Sequence, residues 1–155
     1  MYKSANMTLE RAIEIAVNAH KGQTDKYGAP YIGHVLRVMN MGITEEEKIC
    51  GVLHDVVEDT GWTFEQLEAE GLSPFILEGL RGVTKLSEEE DYDHFIQRTL
   101  QHPLSCTVKL NDLTDNMDVR RIPEVTEKDI SRLNKYLKAY RIITAHRIAT
   151  QAEKR

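Results

Sequence analysis

The chain has 155 residues, which suits one domain around a single core. Its composition, 41% hydrophobic and 29% charged, is that of an ordinary globular protein, and a net charge of −5 argues against general affinity for nucleic acid, which rests on Lys and Arg. No apolar run approaches the roughly 18 residues that span a bilayer, and the N-terminus lacks a signal-peptide core. The two cysteines, Cys50 and Cys106, lie in apolar surroundings and read as core residues of a reducing compartment, so the expected location is cytoplasmic.

From Thr8 to about His20, Leu9, Ala12, Ile13, Ala16 and Val17 recur at helical spacing behind a Thr suited to the N-cap. Lys21-Gly22 stops this helix, and a polar loop, Gln23 to Pro30, follows. Pro30 opens a second helix to about Met41, with Ile32, Val35, Leu36, Val38 and Met39 as core positions. His34 sits inside that apolar segment. A single His in such a place is more often a hydrogen-bonded core residue than a ligand.

Thr44-Glu45-Glu46-Glu47 is a capping box and starts a central helix expected to run to Thr60-Gly61. At about 100° per residue, His54, Asp55, Glu58 and Asp59 fall within an arc of roughly 140°, opposite Ile49, Val52, Leu53, Val56 and Val57. Four groups able to bind a metal or move a proton are thus expected beside an apolar stripe. A solvated polar face is the commoner meaning of such a cluster. Against it, Glu58 and Asp59 face the negative end of the helix dipole and call for a nearby cation.

Thr63-Phe64-Glu65-Gln66 is a second capping box, for a short helix ending at Gly71. Ser73-Pro74 opens another, carrying Phe75, Ile76, Leu77 and Leu80. Gly82 to Leu86 breaks the pattern, and the acidic stretch from Ser87 to Asp93 reads as a solvated loop and helix start. A helix over about Asp91–Leu100 precedes one that begins after His102-Pro103 and includes Asp112 and Asn116 one turn apart. Taken singly, those two are a surface carboxylate and amide. A long helix from Thr126 to about Thr150 is expected to bury Ile130, Leu133, Leu137, Tyr140, Ile143 and, less cleanly, Ile148, with Arg132, Lys135, Lys138 and Arg141 on its solvated face. No stretch alternates with period two, so no sheet is predicted, and no repeat or linker marks a second domain.

Five ordered segments now point to a family: Ala19-His20-Lys21-Gly22-Gln23, Pro30-Tyr31-Ile32-Gly33-His34, Leu53-His54-Asp55-Val56-Val57-Glu58-Asp59-Thr60, Gly82-Val83-Thr84-Lys85-Leu86 and Val108-Lys109-Leu110-Asn111-Asp112. Together they resemble the hydrolase domain of the RelA/SpoT alarmone enzymes and its small stand-alone relatives, within the HD-domain phosphohydrolases. The resemblance covers about residues 5–145. It implies an all-α, single-domain HD helical bundle holding one manganese ion through His34, His54, Asp55 and Asp112. Two imidazoles and two carboxylates are donors that suit an octahedral ion such as Mn²⁺ and offset its charge. The resemblance further implies that Glu58 and Asp59 orient water or shuttle its proton, that Asn116 lies near a nucleotide ribose, and that Lys26 lies near the phosphates. The implied reaction removes the 3′-pyrophosphate from (p)ppGpp, a small nucleotide. At 155 residues, no synthetase domain is expected.

The sequence departs from the family at three places. Asp25 stands where the family usually has an Arg that packs on guanine, Val35 replaces a Pro, and Asp118 replaces an Arg. A carboxylate cannot supply a cation–π contact. Another nucleotide or phosphate ester therefore stays open as substrate, as does a catalytically silent nucleotide-binding module. A purely structural helical protein is a more distant alternative. Oligomeric state is not legible in the sequence.

Overall fold

In the computed structural model, which describes residues 5–155, nine α-helices and one 3₁₀ turn account for the regular structure. They are α1 (Leu9–Ala19), α2 (Ile32–Met41), α3 (Glu45–Leu53), α4 (Val56–Asp59), α5 (Phe64–Ala69), α6 (Pro74–Arg81), α7 (Tyr92–Thr99), α8 (Pro103–Asn116) and α9 (Glu127–Glu153), with the 3₁₀ turn at Val119–Arg121. The only strand-like pairing among the described residues is one bridge, Thr24 to Pro30, which pins the base of the α1–α2 loop. No helix among them is long and apolar enough to cross a membrane.

Local chemistry sets most helix starts. The Thr8 hydroxyl accepts from Arg11 N, and reciprocal capping boxes form at Thr44/Glu47, Thr63/Gln66 and Thr126/Asp129. Ser73 caps α6, with Pro74 at its first position. The helices close over two apolar clusters. One gathers Ile15, Val35, Val38, Val52, Leu53, Leu67, Leu80 and Val108; the other gathers Ile96, Cys106, Leu113, Ala139 and Ile143. Helix α8 contributes to both, through Leu104 and Val108 on one side and Cys106 and Leu113 on the other. Because α2, α3 and α8 pack on one another, their polar edges meet in the interior. Cys50 and Cys106 are both buried thiols, one in each cluster.

Four expectations need correction. The central helix does not run to Thr60. It ends at Leu53, turns through His54 and Asp55, and resumes as α4. The cause is local: the Gly51 carbonyl, which would take the Asp55 N–H in a continuing helix, takes His54 Nδ1–H at 2.6 Å. Secondly, the α9 stripe is mostly uncovered. Ile143 and Ala139 are buried, but Ile130, Leu137, Tyr140 and Ile148 are exposed, because only the middle of this 27-residue helix lies on α7 and α8. Thirdly, Val17 and Phe75 are exposed, whereas Ile15 joins the core. Finally, the acidic stretch is not all solvated. The Glu90 side chain is 4% exposed and accepts from Arg98, His94 and Leu86 N at 2.8–3.0 Å.

That last network makes an acid-stability prediction. Arg98 first, helped by Leu86 N–H and His94, overcomes desolvation and holds the Glu90 carboxyl down to about 2, from an ordinary 4.5. A depressed folded-state pKa stabilises the fold above pH 4.5, and this contribution is lost as pH falls from 4.5 towards 2. Urea unfolding across that window should therefore show stability falling with acid, with a shallower fall in Glu90→Gln.

A second prediction concerns Gly71, which closes α5 at φ +96° and accepts Met7 N–H at 2.9 Å. A Cβ there would lie 2.3 Å from the Ala5 carbonyl oxygen. Gly71→Ala combines left-handed strain of about 1–2 kcal/mol with that backbone clash. A lower urea midpoint at unchanged slope is the expected result.

Candidate metal centre and cavity

His34 enters from α2, His54 and Asp55 from the turn after α3, and Asp112 from α8. Their reactive atoms converge. His34 Nε2 lies 3.2 Å from His54 Nε2, 3.0 Å from Asp112 Oδ1 and 3.7 Å from Asp55 Oδ2. His54 Nε2 is 2.9 Å from Asp55 Oδ2 and 3.3 Å from Asp112 Oδ1. Both imidazoles are buried, His54 to 1% exposure.

The other nitrogen of each ring shows what the cluster needs. His54 Nδ1 faces the Gly51 carbonyl, which can only accept, so Nδ1 carries a proton. His34 Nδ1 likewise faces the Asp115 carboxylate at 2.6 Å. Both Nε2 atoms are left pointing at each other and at two carboxylate oxygens. Such a group of buried electron-rich atoms requires positive charge at its centre, from protons or from a cation. The electrostatics agree. Burial opposes charge on His34, but hydrogen bonds to the Asp112 and Asp115 carboxylates outweigh it and raise its pKa. For His54, Asp55 and Asp112 outweigh burial in the same way. Two imidazoles and two carboxylates fit a divalent metal of the first transition row, and they lack the thiolates of a structural zinc site.

Neighbouring side chains complete the frame. Lys109 Nζ donates to Asp112 Oδ2 at 2.9 Å, and Asn116 Nδ2 donates to Asp112 Oδ1 at 2.9 Å. Asn116 therefore holds a carboxylate of this cluster while also lining the cavity. Tyr31, its ring between His20 and His34, donates its hydroxyl to Asp55 Oδ2. Lys109 and Tyr31 fall within the quoted segments, yet residue by residue the sequence assigns neither a role, since each is an ordinary member of an amphipathic helix or loop.

Glu58 and Asp59 follow on α4, and with Asp55 they bring carboxylate oxygens within 4.8 Å of one another. Lys85 N–H donates to Glu58 Oε1 at 2.8 Å, so the Gly82–Leu86 segment fixes this carboxyl. Gln23 Nε2 donates to the Asp59 carbonyl. Partial desolvation at the cavity wall, with Asp55 and Glu58 nearby, pushes the Asp59 carboxyl up to about 6. Glu58 is raised for the same first reason.

A cavity of about 390 Å³ opens onto this cluster. Its lining joins His34, Asp55, Glu58, Asp59 and Asp112 with the cations Lys26, Lys85, Lys109, Arg132 and Lys135, of which Lys109 lies against Asp112. Lys135 is held below an ordinary amine by desolvation and by Lys85, Lys26 and Lys109 around it. Arg132 and Lys135 were expected on a solvated face; Lys135 is indeed exposed, but both line the cavity, and the Arg132 side chain is largely covered. Arg132 also donates to Tyr27 Oη at 2.7 Å and to Asp129, tying the α1–α2 loop to α9. Asp25 is occupied by its own loop, accepting from Tyr27 N and Ala29 N. Asp118 caps the 3₁₀ turn and pairs with Arg120.

Helices that carry His, a His-Asp turn and a distant Asp to one buried point define an HD domain. No family model matches the chain, but individual proteins do. It is 32% identical over 120 residues to the guanosine-3′,5′-bis(diphosphate) 3′-pyrophosphohydrolase of Aquifex aeolicus, covering 70% of this chain and 17% of that protein. It is 32% identical over 123 residues to the bifunctional (p)ppGpp synthase/hydrolase SpoT of Escherichia coli, again 70% of this chain and 17% of the relative. A solved structure of a metazoan orthologue of SpoT that hydrolyses ppGpp superposes with a TM-score of 0.72 at 25% identity, covering 90% of this chain and 85% of that one. The chain belongs to the HD domains of the RelA/SpoT type. It spans 17% of the length of those two curated relatives.

Proposed function

We propose that this chain is a metal-dependent nucleotide phosphohydrolase that removes the 3′-pyrophosphate from (p)ppGpp, with residues 1–155 acting as a single HD domain. The observation that carries this reading is one cavity lined both by a candidate metal cluster and by cations. The Nε2 atoms of His34 and His54 meet oxygens of Asp55 and Asp112, and Lys26, Lys85, Arg132 and Lys135 line the same cavity. A nucleotide carrying several phosphates suits that combination, and the volume is in the range of small-ligand sites. The similarity to (p)ppGpp hydrolases supports the choice of substrate.

His34, His54, Asp55 and Asp112 would hold the metal, with Mn²⁺ the ion that best suits two nitrogen and two oxygen donors. When bound, such an ion supplies Lewis-acid activation of water and of the phosphoryl group. Glu58 and Asp59 accept and release the water's proton at their carboxyl oxygens; the Asp59 carboxyl, pushed up to about 6, suits proton exchange near neutrality, and burial shifts Glu58 in the same direction. Lys26 contacts the phosphates at the cavity mouth, while Asn116 steadies Asp112 and faces the ribose. The buried thiols Cys50 and Cys106 suit a reducing, cytoplasmic setting.

A second reading draws on Asp25, whose carboxylate serves its own loop at the position where the family resemblance implies a guanine-packing Arg. It keeps the chemistry and changes the nucleotide. The Mn²⁺-loaded protein, assayed against ppGpp, pppGpp and a panel of other phosphorylated nucleosides, separates the two. Pyrophosphate from ppGpp supports the first; turnover elsewhere with ppGpp untouched supports the second. Binding with no turnover of any substrate would leave a silent binding module.

A further inference from the structure

Asp115 is 3% exposed, one turn past Asp112 on α8. Its carboxylate receives His34 Nδ1–H at 2.6 Å on one side. On the other side two guanidinium groups grip it. Arg37 donates through Nε at 2.7 Å and Nη2 at 3.2 Å, and Arg121 donates through Nη1 at 3.1 Å and Nη2 at 3.2 Å. Arg121 Nη2 also donates to the Asp115 carbonyl at 2.9 Å. A carboxylate between two such forks stays ionised and can only accept.

The two histidines of the cluster are therefore oriented by different means. His54 is fixed by a main-chain carbonyl, that of Gly51. His34 is fixed by a charged side chain whose own position depends on α2, through Arg37, and on the cavity rim, through Arg121. The rim segment after α8 thus connects through a single carboxylate to the imidazole.

We propose that Asp115 is a positioning residue for the metal centre: it holds the proton on His34 Nδ1, so that Nε2 is presented to the metal as a lone pair in a fixed direction. Arg37 and Arg121 hold Asp115 in turn. This inference rests on the reading of His34 as a metal ligand. Outer carboxylates that orient ligating histidines are worth about 10–100-fold in metal affinity or activity elsewhere.

Asp115→Asn tests it with little change of shape. The amide has one oxygen for three sets of donors, and the two guanidinium groups compete for it most strongly. Its NH₂ then faces His34 Nδ1, which must become the acceptor and move its proton to Nε2. Two measurements follow, on Asp115→Asn and on Arg37→Met, which loses one guanidinium but keeps the carboxylate. Calorimetric titration with Mn²⁺ reads affinity. Imidazole ¹⁵N shifts of the metal-free proteins, at a pH where the rings are neutral, read the tautomer. Asp115→Asn should bind Mn²⁺ about 10–100-fold more weakly, with His34 switched to the Nε2–H form. Arg37→Met should keep the Nδ1–H form and most of the affinity.

The proposal is overturned if folded Asp115→Asn keeps the Nδ1–H tautomer or wild-type Mn²⁺ affinity. It is also overturned if Arg37→Met loses as much affinity with its tautomer intact, since the ion pair alone would then matter. Failure of the wild-type protein to bind Mn²⁺ would instead remove the metal reading, and the tautomer would still decide what Asp115 does to His34.

Discussion

Replacing Asp112 with Ala should abolish Mn²⁺ binding and hydrolysis and lower stability by about 3–5 kcal/mol. One carboxylate has two duties here. Its Oδ1 sits 3.0 and 3.3 Å from the two imidazole Nε2 atoms, and its Oδ2 accepts from Lys109 Nζ. Lys109 is itself 8% exposed, with its ammonium 5.0 Å from the Phe95 ring centroid. Truncating Asp112 removes a proposed metal donor and strands that buried cation, which is the costly way to break a buried pair. The two losses can be separated. Asp112→Leu combined with Lys109→Met takes both charges away together, so it should recover much of the stability while still failing to bind Mn²⁺. Urea unfolding and calorimetric titration read the two effects. Wild-type Mn²⁺ affinity in Asp112→Ala would show that the ligand set is wrong.

Glu58→Gln should do the reverse. Glu58 lies on α4, outside the group of atoms that converge on the imidazoles, and Lys85 N–H fixes its position. The amide can keep that hydrogen bond through its oxygen, so fold and Mn²⁺ affinity should hold. It cannot take a proton from water. Loss of a general base costs about 10²–10⁴-fold, and the fall should appear in kcat rather than in KM. Turnover at the wild-type rate would remove Glu58 from the reaction and leave Asp59 as the carboxylate to test. This pair of variants also separates an enzyme from a silent module, because a site that only binds has no use for Glu58.

The contrast between these residues shows how far each was readable in advance. Thr8, Thr44, Thr63 and Ser73 cap the helices they were expected to open, because an N-cap and its partner lie within three residues and the geometry is decided locally. The break at His54 was not legible, although it too is local. An apolar period continues straight through it, and only the side chain of His54 competing for the Gly51 carbonyl ends the helix. On α9, periodicity marked a stripe without saying how much of the helix finds a neighbour, so Ile148 is 63% exposed.

By itself, then, the sequence determined an all-helical chain, most of its helix starts and the residue types from which a metal centre could be built. Its ordered segments pointed to a family. Tertiary structure alone decided which atoms of those residues meet. Residues 34, 54 and 112 come together only because α2, α3 and α8 pack on shared apolar faces. The same packing buries Asp115 against His34, puts Lys109 behind Asp112, and sets Arg132 and Lys135 along the cavity lining. Helical periodicity places a side chain on a face of its own helix, whereas the partner it meets is set by how whole helices stack, and that depends on long-range burial that no short window of sequence contains.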